Sequence, residues 1–170
     1  MTIPPFSIPA VLSGVPDAEQ EFDVESVPPA SDTDDLLLVS PVRFHVRFER
    51  QGKELQVAVK DLSTVLRSDC SRCGAVFDQP VSISTVTAFV PIDGFDEDYP
   101  VHIDAKKAEA NLSEWIRVEI LAATDPLAVC REGCLGRCPT CGQDLNAGPC
   151  DCTEEEPPNP FKELGKYFKK

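Results

Sequence analysis

The eight cysteines of this 170-residue chain are confined to two places, and their spacing constrains the fold more strongly than any other feature. Two residues between thiols allow both sulfurs of a tight turn to face one ion, and four sulfurs at about 2.3 Å complete a tetrahedron around Zn²⁺. A glycine, Gly74 or Gly142, follows each CxxC pair, where the chain must reverse. The spacing therefore favours two structural Zn²⁺ sites closed by cysteine ligands. The ligand candidates are Cys70, Cys73, Cys130, Cys134, Cys138, Cys141, Cys150 and Cys152.

Three partitions of these ligands are open. In the favoured one, eight residues between Cys141 and Cys150 form a loop that closes at little entropic cost, so the last four cysteines share one ion. The first four then share a second ion and join a hairpin to the end of a helix. A second partition places both CxxC pairs in one site and leaves the other four cysteines for another. A third has one zinc ion and four free thiols.

Two other uses of the cysteines are weaker. A disulfide framework is typical of small exported chains, whereas residues 1–40 contain neither Lys nor Arg to begin an export signal. A thioredoxin-type CxxC lies between a strand and a helix, but Cys70 and Cys73 are predicted to lie between two strands. Metal binding is therefore the favoured interpretation, and a thiol-redox protein or sensor is the alternative.

Hydrophobic periodicity predicts an α+β fold with a small, mainly antiparallel sheet. Apolar residues alternate with polar ones from Val42 to Phe48 and again from Leu55 to Val59, which indicates a hairpin turning at Gly52. A Val/Thr-rich strand over 81–90 and one amphipathic helix over about 112–123 follow. The cysteine-rich zinc-knuckle region and a short tail helix complete the chain.

This pattern gives four regions. We expect an acidic, proline-rich and partly disordered N-terminus over 1–20, a β-rich core over 21–129, a zinc-knuckle region over 130–152, and a linker with an amphipathic tail helix over 153–170. No apolar run approaches the length of a membrane span, so we expect a cytoplasmic protein without a membrane partner. There is no GxSxG elbow and no glycine-rich phosphate loop, so we expect neither enzymatic activity nor a small-molecule substrate.

The charge limits which partners are plausible. Asp and Glu outnumber Lys and Arg by 29 to 16, a net charge of −13, which excludes a dominant basic nucleic-acid arm. Four arginines lie near the cysteine pairs, where they either support the thiolates and the surface or contact phosphate; both readings are open. The tail helix carries apolar residues that either dock on a partner or pack on their own domain. These candidate contacts are Arg67, Arg72, Arg131, Arg137, Phe161, Leu164 and Phe168.

Taken in order along the chain, these features resemble a known family. A hairpin leads into Cys70-Ser-Arg-Cys73, a Val/Thr-rich strand, an acidic loop and a helix. The segment from Cys130 to Asn146 then contains CREGCLGRCPTCGQDLN, followed by Cys150-Asp-Cys152 and an Asn-Pro-Phe sequence before the tail helix. Over roughly residues 20–168 the chain is similar to the bacterial and plastid YceD family, also called DUF177, although Gly74 stands where the family usually has Leu.

The resemblance implies a non-enzymatic factor for accumulation of large-subunit (23S) ribosomal RNA, and thus for biogenesis of the large ribosomal subunit. It implies contact with the precursor of that subunit, either through rRNA or through a basic ribosomal protein such as the small zinc protein whose gene commonly neighbours family members. It also adds Asn146 to the candidate contacts. If both sites bind zinc as thiolates, the net charge becomes about −17, which favours a basic protein over naked RNA. A structural zinc-ribbon module outside ribosome assembly is a further alternative.

Overall fold

The computed structural model describes residues 3–15, 18–26, 37–92 and 100–152. Within them the chain is mainly antiparallel β-sheet with two helices, and the predicted sheet is confirmed. The predicted tail helix, with Phe161, Leu164 and Phe168, lies outside the described residues. No helix in the described part of the chain is both long and apolar enough to cross a membrane.

The predicted hairpin is the centre of a four-stranded sheet. Strand β3 (Val42–Gln51) pairs with β4 (Glu54–Asp69), and Gly52 in the turn has a φ of +65° that disfavours other residues. Strand β2 (Glu19–Ser26) pairs with the free side of β3, and β5 (Val76–Pro91) pairs with β4. The strand order is β2-β3-β4-β5, and every neighbouring pair is antiparallel.

A second, smaller sheet joins the two ends of the core. Strand β1 (Phe6–Ser7) precedes a one-turn helix, α1 (Pro9–Leu12), while β6 (His102–Asp104) and β7 (Glu109–Asn111) follow the large sheet. The order is β1-β7-β6, so the N-terminal segment pairs with a strand about a hundred residues later.

The N-terminal segment contributes apolar side chains to the main core. Ile3, Phe6, Ile8 and Val11 are all buried in the main core. The ring of Phe6 lies 5.3 Å from that of Phe22 on β2, within the range of favourable aromatic pairs. Four apolar side chains in nine residues supply enough burial to offset the cost of ordering this stretch.

Helix α2 (Ser113–Ala123) lies within the predicted range of about 112–123. Its residues Trp115, Ile116 and Ile120 are buried against the core. The Asn111 side chain accepts a hydrogen bond from the backbone N–H of Ser113, the first residue of the helix, at 2.9 Å. The helix delivers the chain to the second group of cysteines.

Candidate metal centres

The first CxxC pair forms the tip of the long β4–β5 hairpin. Strand β4 ends at Asp69 and β5 begins at Val76, so Cys70 and Cys73 lie in the connecting turn. The N–H of Cys70 donates to the oxygen of Ala75 at 2.9 Å, and the N–H of Gly74 donates to the oxygen of Cys70 at 2.9 Å. A rigid hairpin therefore presents both sulfurs in one direction.

The second CxxC pair repeats this turn bond for bond. The N–H of Cys138 donates to Gln143 at 2.8 Å, and the N–H of Gly142 donates to Cys138 at 2.8 Å. The glycines that follow the two pairs, Gly74 and Gly142, have φ values of +71° and +74°, which explains why glycine occupies both positions. The two knuckles predicted from the sequence thus share one local structure.

The sulfurs gather into two groups of four, and in each group all ligand atoms lie within 4.8 Å of one another. We call them centre 1 and centre 2. The grouping follows the favoured partition of the sequence analysis rather than the one that joins both knuckles. Centre 1 contains Cys70, Cys73, Cys130 and Cys134, and centre 2 contains Cys138, Cys141, Cys150 and Cys152.

The spacing within centre 1 suits a tetrahedral metal ion. The Cys70 and Cys134 sulfurs are 3.8 Å apart, as are those of Cys73 and Cys130. Four sulfurs at about 2.3 Å from a shared ion lie about 3.8 Å from each other, whereas bonded sulfurs are about 2.05 Å apart. The donor atoms and their separation therefore fit a four-cysteine metal site.

The acidities of the thiols in centre 1 diverge. Backbone N–H groups of Cys130 and Cys73 donate to the Cys70 sulfur and lower its pKa to about 6. Burial, with hydrogen bonds to the neighbouring thiols, raises the pKa of Cys130 to about 12. One thiolate forms readily, and its negative charge disfavours ionisation of the neighbouring thiols. A bound divalent cation would offset that repulsion and allow all four to ionise.

Centre 2 shows the same division. The N–H groups of Cys141 and Thr140 lower the pKa of Cys138 to about 6. Interaction with the Cys141 thiol, together with burial, raises the pKa of Cys152 to about 12. The first cysteine of each knuckle is thus the one that the fold prepares as a thiolate.

Two of the predicted arginines join segments of the knuckle region: Arg72 links the two halves of centre 1, and Arg137 links centre 1 to the knuckle of centre 2. The Arg72 side chain donates from Nη1 to the oxygen of Cys134 at 3.0 Å. The Arg137 side chain donates from Nε to the oxygen of Cys73 at 2.7 Å and from Nη1 to that of Gly142 at 3.3 Å. Both guanidinium groups bind backbone oxygens of the knuckle region, which favours their supporting role.

The other predicted contacts separate into two environments. Arg67 forms an exposed ion pair with Asp78 on the sheet, at 3.2 Å. Arg131 donates to the Asn146 side-chain oxygen at 2.9 Å. The Asn146 amide in turn donates to the Cys134 sulfur at 3.5 Å, so a residue in the loop of centre 2 supports a ligand of centre 1.

Gly136 is a structural residue that the sequence analysis did not identify. Its φ is +76°, and a Cβ atom there would lie 3.1 Å from the backbone oxygen of Arg72 and 3.3 Å from its Cβ. The glycine allows the second cysteine segment to approach the first knuckle closely. The only indication of this role in the sequence is that Gly136 lies between Cys134 and Cys138.

No curated protein and no solved structure matches the chain. The family described as "Large ribosomal RNA subunit accumulation protein YceD" matches it over residues 60–167. This match runs from the middle of β4 through all the cysteines of both centres. Because it covers more than half of the chain, the protein belongs to the YceD family.

Proposed function

We propose that this chain is a non-enzymatic cytoplasmic factor required for accumulation of large-subunit rRNA during biogenesis of the large ribosomal subunit. The observation that carries the proposal is the family match over residues 60–167, whose description names this role. Each of the two candidate centres offers four cysteine sulfurs and no other kind of ligand. Such a set suits a structural ion better than a reaction centre.

Both centres are proposed to hold Zn²⁺. Four cysteines complete the tetrahedron in each and leave no coordination position for a substrate or an activated water. When bound, the ion would supply a crosslink: in centre 1 it would join the hairpin tip at Cys70 and Cys73 to the segment after α2 at Cys130 and Cys134. The chain's own contribution is to aim the sulfurs and to donate backbone hydrogen bonds to them.

The proposed partner is a basic protein within the precursor of the large subunit. The chain carries a net charge of −13 before metal binding, so it attracts basic polypeptides and repels free RNA at long range. Arg72 and Arg137 use their guanidinium groups on backbone oxygens of the knuckles. That arrangement supports a role in shaping the surface rather than a phosphate-binding patch.

The proposal is tested by removing the chain from cells and restoring it as wild type or as Cys138→Ser. We expect loss of the chain, and the Cys138→Ser form, to lower the ratio of large-subunit to small-subunit rRNA. Exposed Ser63→Ala on β4 is the control and should restore the ratio. An unchanged ratio after removal would contradict the proposed function.

The thiol-redox alternative makes a different demand on the cysteines. It requires thiols that are free to oxidise and reduce, whereas structural zinc protects them. Alkylation of the native protein before and after chelation separates the two functions. Rapid modification of several cysteines without chelation, with no loss of metal, would favour the redox alternative.

A further inference from the structure

Strand β5 is an edge of the large sheet, with β4 on one side. Among residues 3–15, 18–26, 37–92 and 100–152, no other strand pairs with its outer side. An open edge presents a row of N–H and C=O groups that can bind another polypeptide.

The ladder bonds identify the outward groups. The N–H of Ile92 donates to the oxygen of Lys53 on the β4 side at 3.0 Å. Hydrogen-bonded positions alternate along an antiparallel pair, so Val90 and Ala88 also face β4 while Phe89 and Thr87 face outward. The side chains of Phe89 and Thr87 are exposed, and that of Phe89 remains 51% accessible.

Two prolines of β5 lie at positions that face outward. The backbone nitrogen of Pro91 faces away from β4, as those of Thr87 and Phe89 do. Near the hairpin tip, the N–H of Cys70 donates to the oxygen of Ala75. In that half of β5 the odd-numbered residues therefore bond to β4, and the even-numbered Pro80 faces outward. A proline at either position sacrifices no bond to β4, as expected for an edge strand. Because the phase changes between Ile83 and Thr85, opposite Asp61 with its φ of +53°, one added strand can pair regularly with the part of the edge from Thr85 to Pro91.

The two edges of the sheet differ in charge. The opposite edge strand, β2, exposes four acidic side chains: Glu19, Glu21, Asp23 and Glu25. Strand β5 has no charged residue from Gln79 to Pro91. Charged side chains are a common protection of edges against pairing, so β2 is protected while β5 is open.

We propose that an extended segment of a basic protein adds as a fifth strand to β5 between Thr85 and Pro91. The inference rests on the proposed function, which supplies a basic protein of the large-subunit precursor as partner. A row of backbone donors and acceptors matches a polypeptide rather than RNA. The net charge of −13 attracts a basic segment and repels a second copy of this chain, while the uncharged edge permits close approach.

The test uses synthetic peptides that cover the lysine- and arginine-rich terminal extensions of the same cell's large-subunit proteins, added to the full zinc-loaded chain. We expect at least one peptide to slow amide hydrogen exchange at Thr87 and Phe89. Exchange at Ala88 and Val90 should change little, since those amides already bond to β4. This readout uses the wild-type protein and does not depend on the folding of any variant.

Two variants sharpen the result. Thr87→Pro removes one outward N–H, as Pro80 and Pro91 do naturally, and should weaken peptide binding about tenfold. Thr87→Val keeps the N–H and should bind as wild type does. Overturning results are equal binding by both variants, no peptide that protects the outward amides, or self-association of the chain that Thr87→Pro abolishes, which would assign the edge to a second copy.

Failure of this inference is distinguishable from failure of the proposed function. Cells without the chain report on the function through their rRNA ratio, whatever the peptides do. If that ratio falls but no peptide protects the edge, only the fifth-strand inference is wrong. If the ratio is unchanged, the proposed function is wrong and the partner class loses its basis.

Discussion

The guanidinium of Arg137 donates a hydrogen bond from Nε to the backbone oxygen of Cys73 across 2.7 Å, and the two residues lie 64 positions apart. Arg137 directly precedes Cys138, the first ligand of centre 2, while Cys73 is a ligand of centre 1. The backbone N–H of Arg137 also donates to the oxygen of Arg72 at 3.1 Å. The two centres are therefore connected through Arg137, and a substitution that removes this contact should weaken metal binding at both.

Replacing Arg137 tests that link. Arg137→Ala should speed zinc release to a competing chelator by about 10-fold or more, because outer contacts that orient ligands commonly affect metal affinity on that scale. Arg67→Ala is the control, since it removes an exposed arginine whose ion pair with Asp78 contributes only about 0–1 kcal/mol. Equal release rates for the two variants would show that Arg137 does not support the centres.

Gly136 offers a matched pair of glycine substitutions with Gly133. Both have a φ of +76°, but a Cβ at Gly133 meets nothing within 4 Å whereas one at Gly136 meets Arg72 at 3.1 Å. Gly133→Ala should cost about 1–2 kcal/mol of unfolding free energy from the backbone alone, and Gly136→Ala should cost more. Denaturant unfolding of the zinc-loaded proteins measures the difference. A larger loss for Gly133→Ala would contradict the close approach of the two cysteine segments.

Asn146 should act selectively on centre 1. Its amide donates to the Cys134 sulfur at 3.5 Å, although it lies in the loop between ligands of centre 2. Asn146→Ala should weaken metal binding at centre 1 by about 10-fold or more, because the sulfur loses a donor that stabilises its charge. Cadmium-113 NMR of the substituted protein separates the centres. A change confined to the centre 2 resonance would refute this assignment.

His45 gives the sheet a predictable pH dependence. Its hydrogen bond to Asp23, at 2.9 Å, raises the pKa of His45 above 6.5, helped by the charges of Asp23 and Glu21 and opposed by burial. The stabilisation is therefore fully present below about pH 6.5 and is lost as the pH rises through the folded-state pKa. The difference in unfolding free energy between wild type and His45→Gln should shrink over that window. A difference that grows with pH would have the wrong sign.

Local patterns predicted the helix and part of each strand that carries the site: Leu55–Val59 lies in β4 and 81–90 lies in β5, but β4 continues to Asp69 and β5 begins at Val76. Alternation from Val42 to Phe48 predicted a strand of the hairpin, because one face of the sheet is buried. The short loop between Cys141 and Cys150 favoured the correct grouping of sulfurs, since short loops close cheaply. Both predictions depend on residues that are near one another in the chain.

Long-range contacts explain what the sequence could not predict. Phe6 and Ile8 belong to a proline-rich stretch without periodicity, and their burial depends on strand β7 far along the chain. The contact of Arg137 with Cys73 likewise depends on how the two cysteine segments meet. Asn146 was a candidate partner contact, whereas its amide binds a sulfur inside the knuckle region. No spacing rule within one segment reports on such pairings.

The most direct test of the central claim, that both four-cysteine centres hold zinc, is native mass spectrometry of the purified full-length chain. We predict a mass that corresponds to two Zn²⁺ per chain, with all eight cysteines reduced and protected from alkylation until the metal is removed. A chain that carries no metal and whose cysteines are paired as disulfides would contradict the account, as would a single bound ion with four thiols open to alkylation.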